Sequence, residues 1–450
     1  MGGASPHRPD AAGVLPPTAA CPFGRASFLP IRESLPFLGA GTLEIREIPT
    51  AILIRSTNSK PLEKIMATVY FYAPPVEPDP QQTMYPHTAI ALCEGLAMLG
   101  FSLYAPRPYW RTSAQTNETL FRHDPDVTPD DCDIVIFDSG MIQFHDGLEF
   151  ILNLKPNSTQ VRVLTHHTDQ SSLDQHRLVT LYPKRFDLIL SAHRCVDQKL
   201  PSNVKPWALG LSKRQLRELS HIPPFDQRER TLRYNFRHVG KMQSVRKAAQ
   251  DLFYPISDAA LPASFSAMGM PEEAYHHLMW KQTGRRHTPV FYEELMSVMA
   301  TASFCGWFIP SWPRSQANPL FVLMWRLMRR YDLKGRRITQ WDSWRFWEAM
   351  AAGCVSIHAD FDKYGMALPV RPTNWEHYIG IDFDRAQDAI DRIVAEPAVL
   401  ERISVQGRAW VLDHYSPVPV AERFLRLIGR EAPRIADSAP LERRMVSAGR

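Results

Sequence analysis

The chain has 450 residues, 44% of them hydrophobic and 22% charged, which is the composition of a globular protein with room for two or three domains. Its net charge of +5 fits an acidic ligand, and the basic excess is not gathered into the long stripe that would predict nucleic-acid binding. The six cysteines form no CxxC pair, which argues against a disulfide framework or a zinc site and favours a reducing, cytoplasmic location.

Residues 1–65 are rich in Pro, Ala and Gly, and we expect a largely disordered N-terminal extension there. From residue 66 onward, short apolar strands alternate with helical segments, a pattern typical of a parallel sheet with helices on both faces. The first α/β domain is predicted over 66–212. A helix is expected at 88–99, and strands are expected at 68–73, 101–104, 133–137, 161–165 and 187–191.

A polar, Pro-containing stretch predicts an interdomain linker at 213–231, and a second α/β domain follows over 232–430, with a flexible tail at 431–450. Strands are predicted at 233–239, 355–357 and 378–381, and helices at 244–253, 291–304, 320–337, 386–394, 398–414 and 418–427. The fold class is therefore α/β, with two Rossmann-like domains whose mostly parallel sheets face a central cleft.

The segment Gln340–Asp360 carries the clearest local signals. Asp342 or Ser343 can cap a helix, Gly353 suits the left-handed end of that helix, and a buried strand follows. A helix start of this kind offers free N–H groups and a positive dipole to a phosphate. Arg345 adds a planar cation suited to a diphosphate, and Glu348 could accept hydrogen bonds from a sugar diol. The alternative is a surface ion pair between Arg345 and Glu348.

A second cationic segment opens the second domain. Gly240 ends the predicted strand, and Lys241 and Arg246 follow it, so two fixed cations could offset the charge of a leaving diphosphate. The alternative is a solvated basic helix start.

Together these two segments resemble GT-B glycosyltransferases of the group 1 and exostosin-like kind. Glu348 and the following Ala-Met-Ala-Ala-Gly match the second half of that family's signature, while Gln340 stands where the family has its first acidic residue. The resemblance implies donor binding by Gly240, Lys241, Arg246, Ser343, Arg345 and Glu348, with Glu348 on the ribose. Gln340 would lie near the transferred sugar, where an amide offers no negative charge.

Histidines in the first half are candidates for the reaction. His166 and His167 follow a predicted strand, where functional residues of open α/β sheets gather, and either could contact the sugar or activate an acceptor hydroxyl. His87 opens the first helix, at the acceptor-side position that the resemblance implies. Asp138, which ends another strand, is a weaker candidate.

Two further features have competing interpretations. Three Asp-x-Asp tripeptides occur, but the resemblance implies a fold that usually needs no metal, so no metal or other cofactor is expected. The basic amphipathic segment 320–337 either makes a peripheral contact with an anionic membrane or packs on the domain with a solvated charged face, and we favour packing.

The hypothesis is a glycosyltransferase that moves a sugar from a nucleoside diphosphate sugar to a hydroxyl of a glycan, lipid or small-molecule acceptor. A sugar- or nucleotide-binding protein without turnover is one alternative. A nucleotide-sugar epimerase on the same fold is another. Nucleic acid is not an expected partner.

Overall fold

Two parallel sheets organise the described part of the chain. The computed structural model describes residues 67–72, 85–140, 149, 160–167, 177–234, 243–253, 270–314 and 318–430, all within one unit that spans 63–450. Its strands are β1 (Thr68–Tyr72), β2 (Ser102–Tyr104), β3 (Tyr109–Arg111), β4 (Thr119–Phe121), β5 (Ile134–Asp138), β6 (Val161–His166), β7 (Leu188–Ser191), β8 (Arg194–Cys195), β9 (Val204–Pro206), β10 (Glu229–Tyr234), β11 (Val298–Ala302), β12 (Trp307–Ile309), β13 (Arg337–Thr339), β14 (Val355–Ala359), β15 (Met366–Ala367) and β16 (Ile379–Ile381).

The helices lie between and after these strands. They are α1 (His87–Met98), α2 (Lys213–Glu218), α3 (Ser244–Phe253), α4 (Ala274–Gln282), α5 (Pro289–Ser297), α6 (Pro319–Arg330), α7 (Trp344–Ala351), α8 (Ala386–Ala395), α9 (Val399–Tyr415) and α10 (Pro417–Leu427).

The first sheet has the order β2-β1-β5-β6-β7-β9, and all its neighbouring strands are parallel. Every residue of β5 and β7 is buried, as expected for strands covered on both faces. The chain changes direction across the sheet between β1 and β5, and ligands of open α/β sheets bind at such switch points. The second sheet, β10-β11-β14-β16, is also parallel throughout. The predicted fold class, with two mostly parallel Rossmann-like sheets, is confirmed.

The second half corrects two predicted helices. The segment predicted as one helix over 291–304 is α5 followed by β11, the strand between β10 and β14 in the second sheet. The helix predicted over 320–337 ends at Arg330, and the chain then reaches β13 at Arg337, which pairs antiparallel with β12. None of the described helices is both long enough and apolar enough to cross a bilayer.

The C-terminal helix packs against the first half of the chain. Val420, Ala421, Phe424 and Leu425 of α10 are buried in the same hydrophobic cluster as residues of β1, α1 and β5. At Gly95 of α1 an added Cβ would overlap the backbone carbonyl of Pro417. The core under the first sheet is therefore completed by the last described helix, which the sequence places in the second domain.

Candidate functional site

Asp138 and His167 form a hydrogen-bonded pair at the carboxyl end of the first sheet. Asp138 is the last residue of β5, and its Oδ2 lies 3.0 Å from Nε2 of His167. The same carboxylate accepts hydrogen bonds from the Thr165 hydroxyl at 3.1 Å and from the Gly140 N–H at 2.8 Å. A carboxylate fixed in this way holds the imidazole in one tautomer and can stabilise its protonated form, so His167 is placed to accept a proton.

His166 points elsewhere because neighbouring residues at a strand end face opposite sides of the sheet. Its Nδ1 lies 3.2 Å from the hydroxyl oxygen of Ser191 on β7, and the residue is buried. His167, by contrast, is half-buried. The structure therefore separates the two predicted histidines, and His167 pairs with a carboxylate at the sheet edge.

His193 joins this edge to the segment that precedes α7. Its Nδ1 accepts a hydrogen bond from the backbone N–H of Asp342 at 3.1 Å. Burial, aided by the charge of Arg194, lowers the pKa of His193 to about 3, so the ring is neutral and its lone pair is available. Beside it, the Trp341 indole donates to the carbonyl of Arg194 at 3.2 Å. Two hydrogen bonds thus hold the predicted donor segment against the residues that directly follow β7.

Sequence reasoning missed His193. The rule that singled out His166 and His167, a polar residue just after a buried strand, applies equally here, because His193 follows β7 by two residues. The backbone of His193 lies in the left-handed region, with φ of 61°. Gln340, two residues before its partner Asp342, is also left-handed, with φ of 53°. Left-handed backbone at residues other than glycine costs free energy and is often retained at functional sites.

No side chain caps the N-terminus of α7 in the described structure. Ser343 occupies the N-cap position with extended backbone, but its hydroxyl makes no capping hydrogen bond. Asp342, the other predicted cap, instead accepts from the Trp347 indole at 2.6 Å and from the Leu209 N–H at 2.8 Å. Burial raises the pKa of Asp342 to about 7. Arg345 lies half-buried in the same turn, and anion binding there stays a prediction.

Arg246 is anchored beside the end of β11. Its Nε donates to the carbonyl of Phe304 at 3.0 Å, which fixes the guanidinium at the carboxyl end of the second sheet. Lys241 and Gly240, the other predicted members of this loop, lie outside the described residues.

Gly306 connects the start of α3 with the Gln340 turn. Its N–H donates to Oε1 of Gln243 at 3.0 Å, and an added Cβ would overlap the carbonyl of Thr339. Its φ of 99° also favours glycine. Gly306 therefore joins the segment that precedes Arg246 to the turn at Gln340, and a shared donor site formed by the two segments stays a prediction.

Glu348 is buried inside the protein. Its Oε1 accepts hydrogen bonds from the Gln215 amide at 2.7 Å and from the Tyr292 hydroxyl at 3.1 Å, and Arg214 donates to that hydroxyl at 2.8 Å. The alternative of a surface ion pair with Arg345 is wrong, because only 4% of Glu348 is exposed. Among the described residues no donor contacts Oε2, so donor binding by that oxygen stays a prediction.

His87 is fully buried, and both of its ring nitrogens are engaged. Nδ1 lies 3.2 Å from the Tyr85 hydroxyl and Nε2 lies 3.1 Å from the carbonyl of Gly210. Burial, together with the charge of Arg214, lowers the pKa of His87 to about 3. Its predicted contact with an acceptor would require these hydrogen bonds to open.

One cluster in the described residues has the spacing of a metal site. Nδ1 of His276 lies 3.1 Å from Nε2 of His287 and 3.6 Å from Oε1 of Glu218. However, Nδ1 of His287 faces Nη1 of Arg214 at 3.3 Å, and because arginine only donates, this nitrogen must accept. Nε2 of the neutral ring therefore carries the proton and donates to Nδ1 of His276. Both ring nitrogens of His287 therefore have hydrogen-bond partners without a cation.

Comparison with known proteins gives structural similarity only. No family model matches the chain, and no curated protein matches it. An alpha-glucosyltransferase solved with UDP and a 13-mer DNA is 13% identical, with a TM-score of 0.45 over 81% of this chain and 100% of that chain. A glycosyltransferase from Rickettsia africae is 10% identical, with a TM-score of 0.43 over 81% of this chain and 98% of that one.

AviGT4, a glycosyltransferase involved in avilamycin A biosynthesis, is 12% identical, with a TM-score of 0.38 over 80% of this chain and 96% of its own. With TM-scores below 0.5, these similarities carry no weight for substrate or mechanism. Any proposal about substrate or mechanism must therefore be argued from this chain's own residues.

Proposed function

We propose that the protein is a GT-B-type glycosyltransferase that moves a sugar from a nucleoside diphosphate sugar to an acceptor hydroxyl. The observation that carries the proposal is the His193–Asp342 hydrogen bond, which sets the uncapped start of α7 against the sheet edge that holds Asp138 and His167. An anion site at α7 and a proton acceptor at His167 would then share one region, which suits transfer of a sugar from a nucleoside diphosphate to a hydroxyl.

The donor would bind on the second half. The diphosphate would meet the first-turn N–H groups of α7 near Ser343, with Arg345 and Arg246 as fixed cations and Gly240 and Lys241 completing the loop. Oε2 of Glu348 would accept from a ribose hydroxyl. These cations supply charge that a divalent metal supplies in other transferases, so we propose transfer without a metal cofactor.

The acceptor and the transferred sugar would lie on the first half. His167, held by Asp138, would take the proton of the acceptor hydroxyl or contact the sugar, with His166 behind it in the sheet. Gln340 would donate or accept a hydrogen bond near the sugar. The acceptor is a glycan, a lipid or a small molecule. Five free cysteines in the described residues support a reducing, cytoplasmic setting.

The test is a binding screen with UDP-, GDP-, ADP- and dTDP-sugars, read by thermal shift. Arg246→Gln should abolish the stabilisation given by the best donor, whereas Lys247→Gln should keep it. Lys247 is the matched control, since it is exposed and its ammonium pairs with Asp332. If no nucleotide sugar shifts the melting temperature of the intact protein, the proposal is wrong.

The same preparation separates the alternatives. Donor binding without product, across an acceptor panel, would favour a binding protein. Conversion of the donor sugar without any acceptor, followed by NMR, would favour an epimerase.

A further inference from the structure

A row of apolar side chains on α6 lies in solvent. This helix completely buries one side chain, that of Phe321. Leu320, Leu323, Leu327 and Tyr331 are 39%, 55%, 45% and 62% exposed. Their spacing of three or four residues places them along one side of the helix, beside the face that packs inward. Exposed apolar rows of this kind mark interaction sites more often than isolated exposed residues do.

Positive charge accompanies the row. The segment 318–337 contains six lysines and arginines and a single acidic residue, Asp332, whose carboxylate pairs with Lys247 at 2.5 Å. Arg326 and Arg330 are exposed and lie next to the leucine row on the helix surface. Arg337 is buried and pairs with Asp197 at 3.3 Å, so it does not add to this surface. The exposed face therefore combines leucines with the positive charge of Arg326 and Arg330.

The helix is held in place rather than loosely attached. It is inserted into the connection between β12 and β13, which pair antiparallel over Trp307–Ile309 and Arg337–Thr339. The Arg329 guanidinium lies 4.4 Å from the centre of the Trp307 ring, a cation–π contact between α6 and this hairpin. The apolar row is thus presented on a fixed support.

We propose that α6 docks in the plane of an anionic membrane surface. Leu320, Leu323 and Leu327 would enter the boundary between headgroups and acyl chains, and Arg326 and Arg330 would contact lipid phosphates. Positive charge alone would also bind other polyanions, but a row of exposed leucines adds little to the binding of a polyanion that has no apolar part. The sequence favours a helix that packs on the domain, and α6 does pack there through Phe321, but Leu320, Leu323 and Leu327 stay exposed beside that contact. The proposal does not depend on glycosyl transfer.

The experiment is flotation of the full chain with phosphatidylcholine vesicles, with and without phosphatidylglycerol. We expect binding only with phosphatidylglycerol, weakening as salt is raised. Leu323→Glu/Leu327→Glu should abolish binding, and Arg326→Glu/Arg330→Glu should lower the partition coefficient by at least about tenfold. Val394→Glu/Val405→Glu and Lys199→Glu/Lys281→Glu are matched controls at exposed sites elsewhere, and they should bind as the parent does.

The proposal is overturned if the parent protein does not float with anionic vesicles, or if Leu323→Glu/Leu327→Glu floats equally well. It is also overturned if light scattering shows a dimer that this double variant dissociates, because the row would then cover a second copy. Circular dichroism of each variant verifies that the fold is retained.

Discussion

At the scale of single residues, the hydrogen bonds of Asp138 decide what His167 can do. The carboxylate only accepts, so Nε2 of His167 carries a proton toward it, and the lone pair of the neutral ring is on Nδ1. Thr165 and Gly140 hold the carboxylate in place from two other sides. The basic nitrogen of His167 is therefore set by a residue that the sequence ranks as a weaker candidate.

Asp138→Asn tests this arrangement. The asparagine amide would donate to Nε2 of His167, which would move the ring proton to Nδ1 and remove the base. We expect transferase turnover to fall by about 10²–10⁴-fold with little change in donor affinity. Asp126→Asn, at an exposed turn, is the control. If a folded Asp138→Asn protein keeps turnover within a few-fold of the parent, His167 is not the group that accepts the proton.

Asp342 gives a second residue-scale prediction, on stability. Burial raises its pKa to about 7 in the folded chain, against about 4 when unfolded. Between these values the folded state retains a proton that the unfolded state has lost, so this group's contribution to stability declines as pH rises from about 4 to 7. The slope is at most about 1.4 kcal/mol per pH unit.

Asp342→Asn should remove that slope. The variant is less stable at every pH, because its NH2 group faces an N–H donor of Trp347 or Leu209. The difference in unfolding free energy between parent and variant should nevertheless shrink as pH rises from 4 to 7. Urea unfolding at several pH values measures it, with Asp126→Asn as the parallel control. A difference that stays constant over this range would mean that Asp342 is ionised throughout.

The sequence could predict the edges of this site but not the contacts across it. Ser343, Arg345 and Arg246 lie where helix starts and strand ends imply, since these signals are local. The hydrogen bonds from Asp342 to His193 and from Gln215 to Glu348 join residues 149 and 133 positions apart. Nothing in the sequence specifies such pairs. The burial of Glu348 also depends on Tyr292, whose helix is distant in sequence.

At the scale of elements, the misread strand β11 shows where periodicity is insufficient. Val298-Met-Ala-Thr-Ala302 contains good helix formers and follows α5 directly, so a single helix over 291–304 is the natural prediction. The strand exists because β10 and β14 flank it on both sides. Short segments with sheet neighbours on both sides take their state from tertiary pairing, which overrides propensity.

The contact between α1 and α10 can be tested by Gly95→Ala. On helix propensity alone, alanine in α1 would stabilise the chain by about 1 kcal/mol. An added Cβ would, however, overlap the carbonyl of Pro417, and backbone cannot move aside as a flexible side chain can. We therefore expect a lower unfolding free energy in urea. Stabilisation would show that α10 is not packed at this distance.

At the scale of the whole molecule, the two sheets are linked by more than the chain between them. Trp344, at the start of α7, packs against the hydrophobic cores of both sheets. Tyr275 and Met279 of α4 and the buried face of α10 also belong to the first core, although the sequence assigns both helices to the second domain. A continuous domain boundary near 212 is easy to propose from sequence, because the packing of a late helix on an early sheet leaves no local signal.

The last helix should therefore be required by the first half. Val420, Phe424 and Leu425 are at least 95% buried, and burying three such side chains contributes roughly 5–9 kcal/mol as an upper estimate. That is comparable to the whole stability of a typical domain, about 5–15 kcal/mol. A chain that ends at Ser416 should thus lose cooperative melting and bind a hydrophobic dye. A chain that ends at Arg430 keeps α10 and should melt as the full-length protein does. If both truncated chains melt alike and bind the donor alike, α10 is not part of the core under the first sheet.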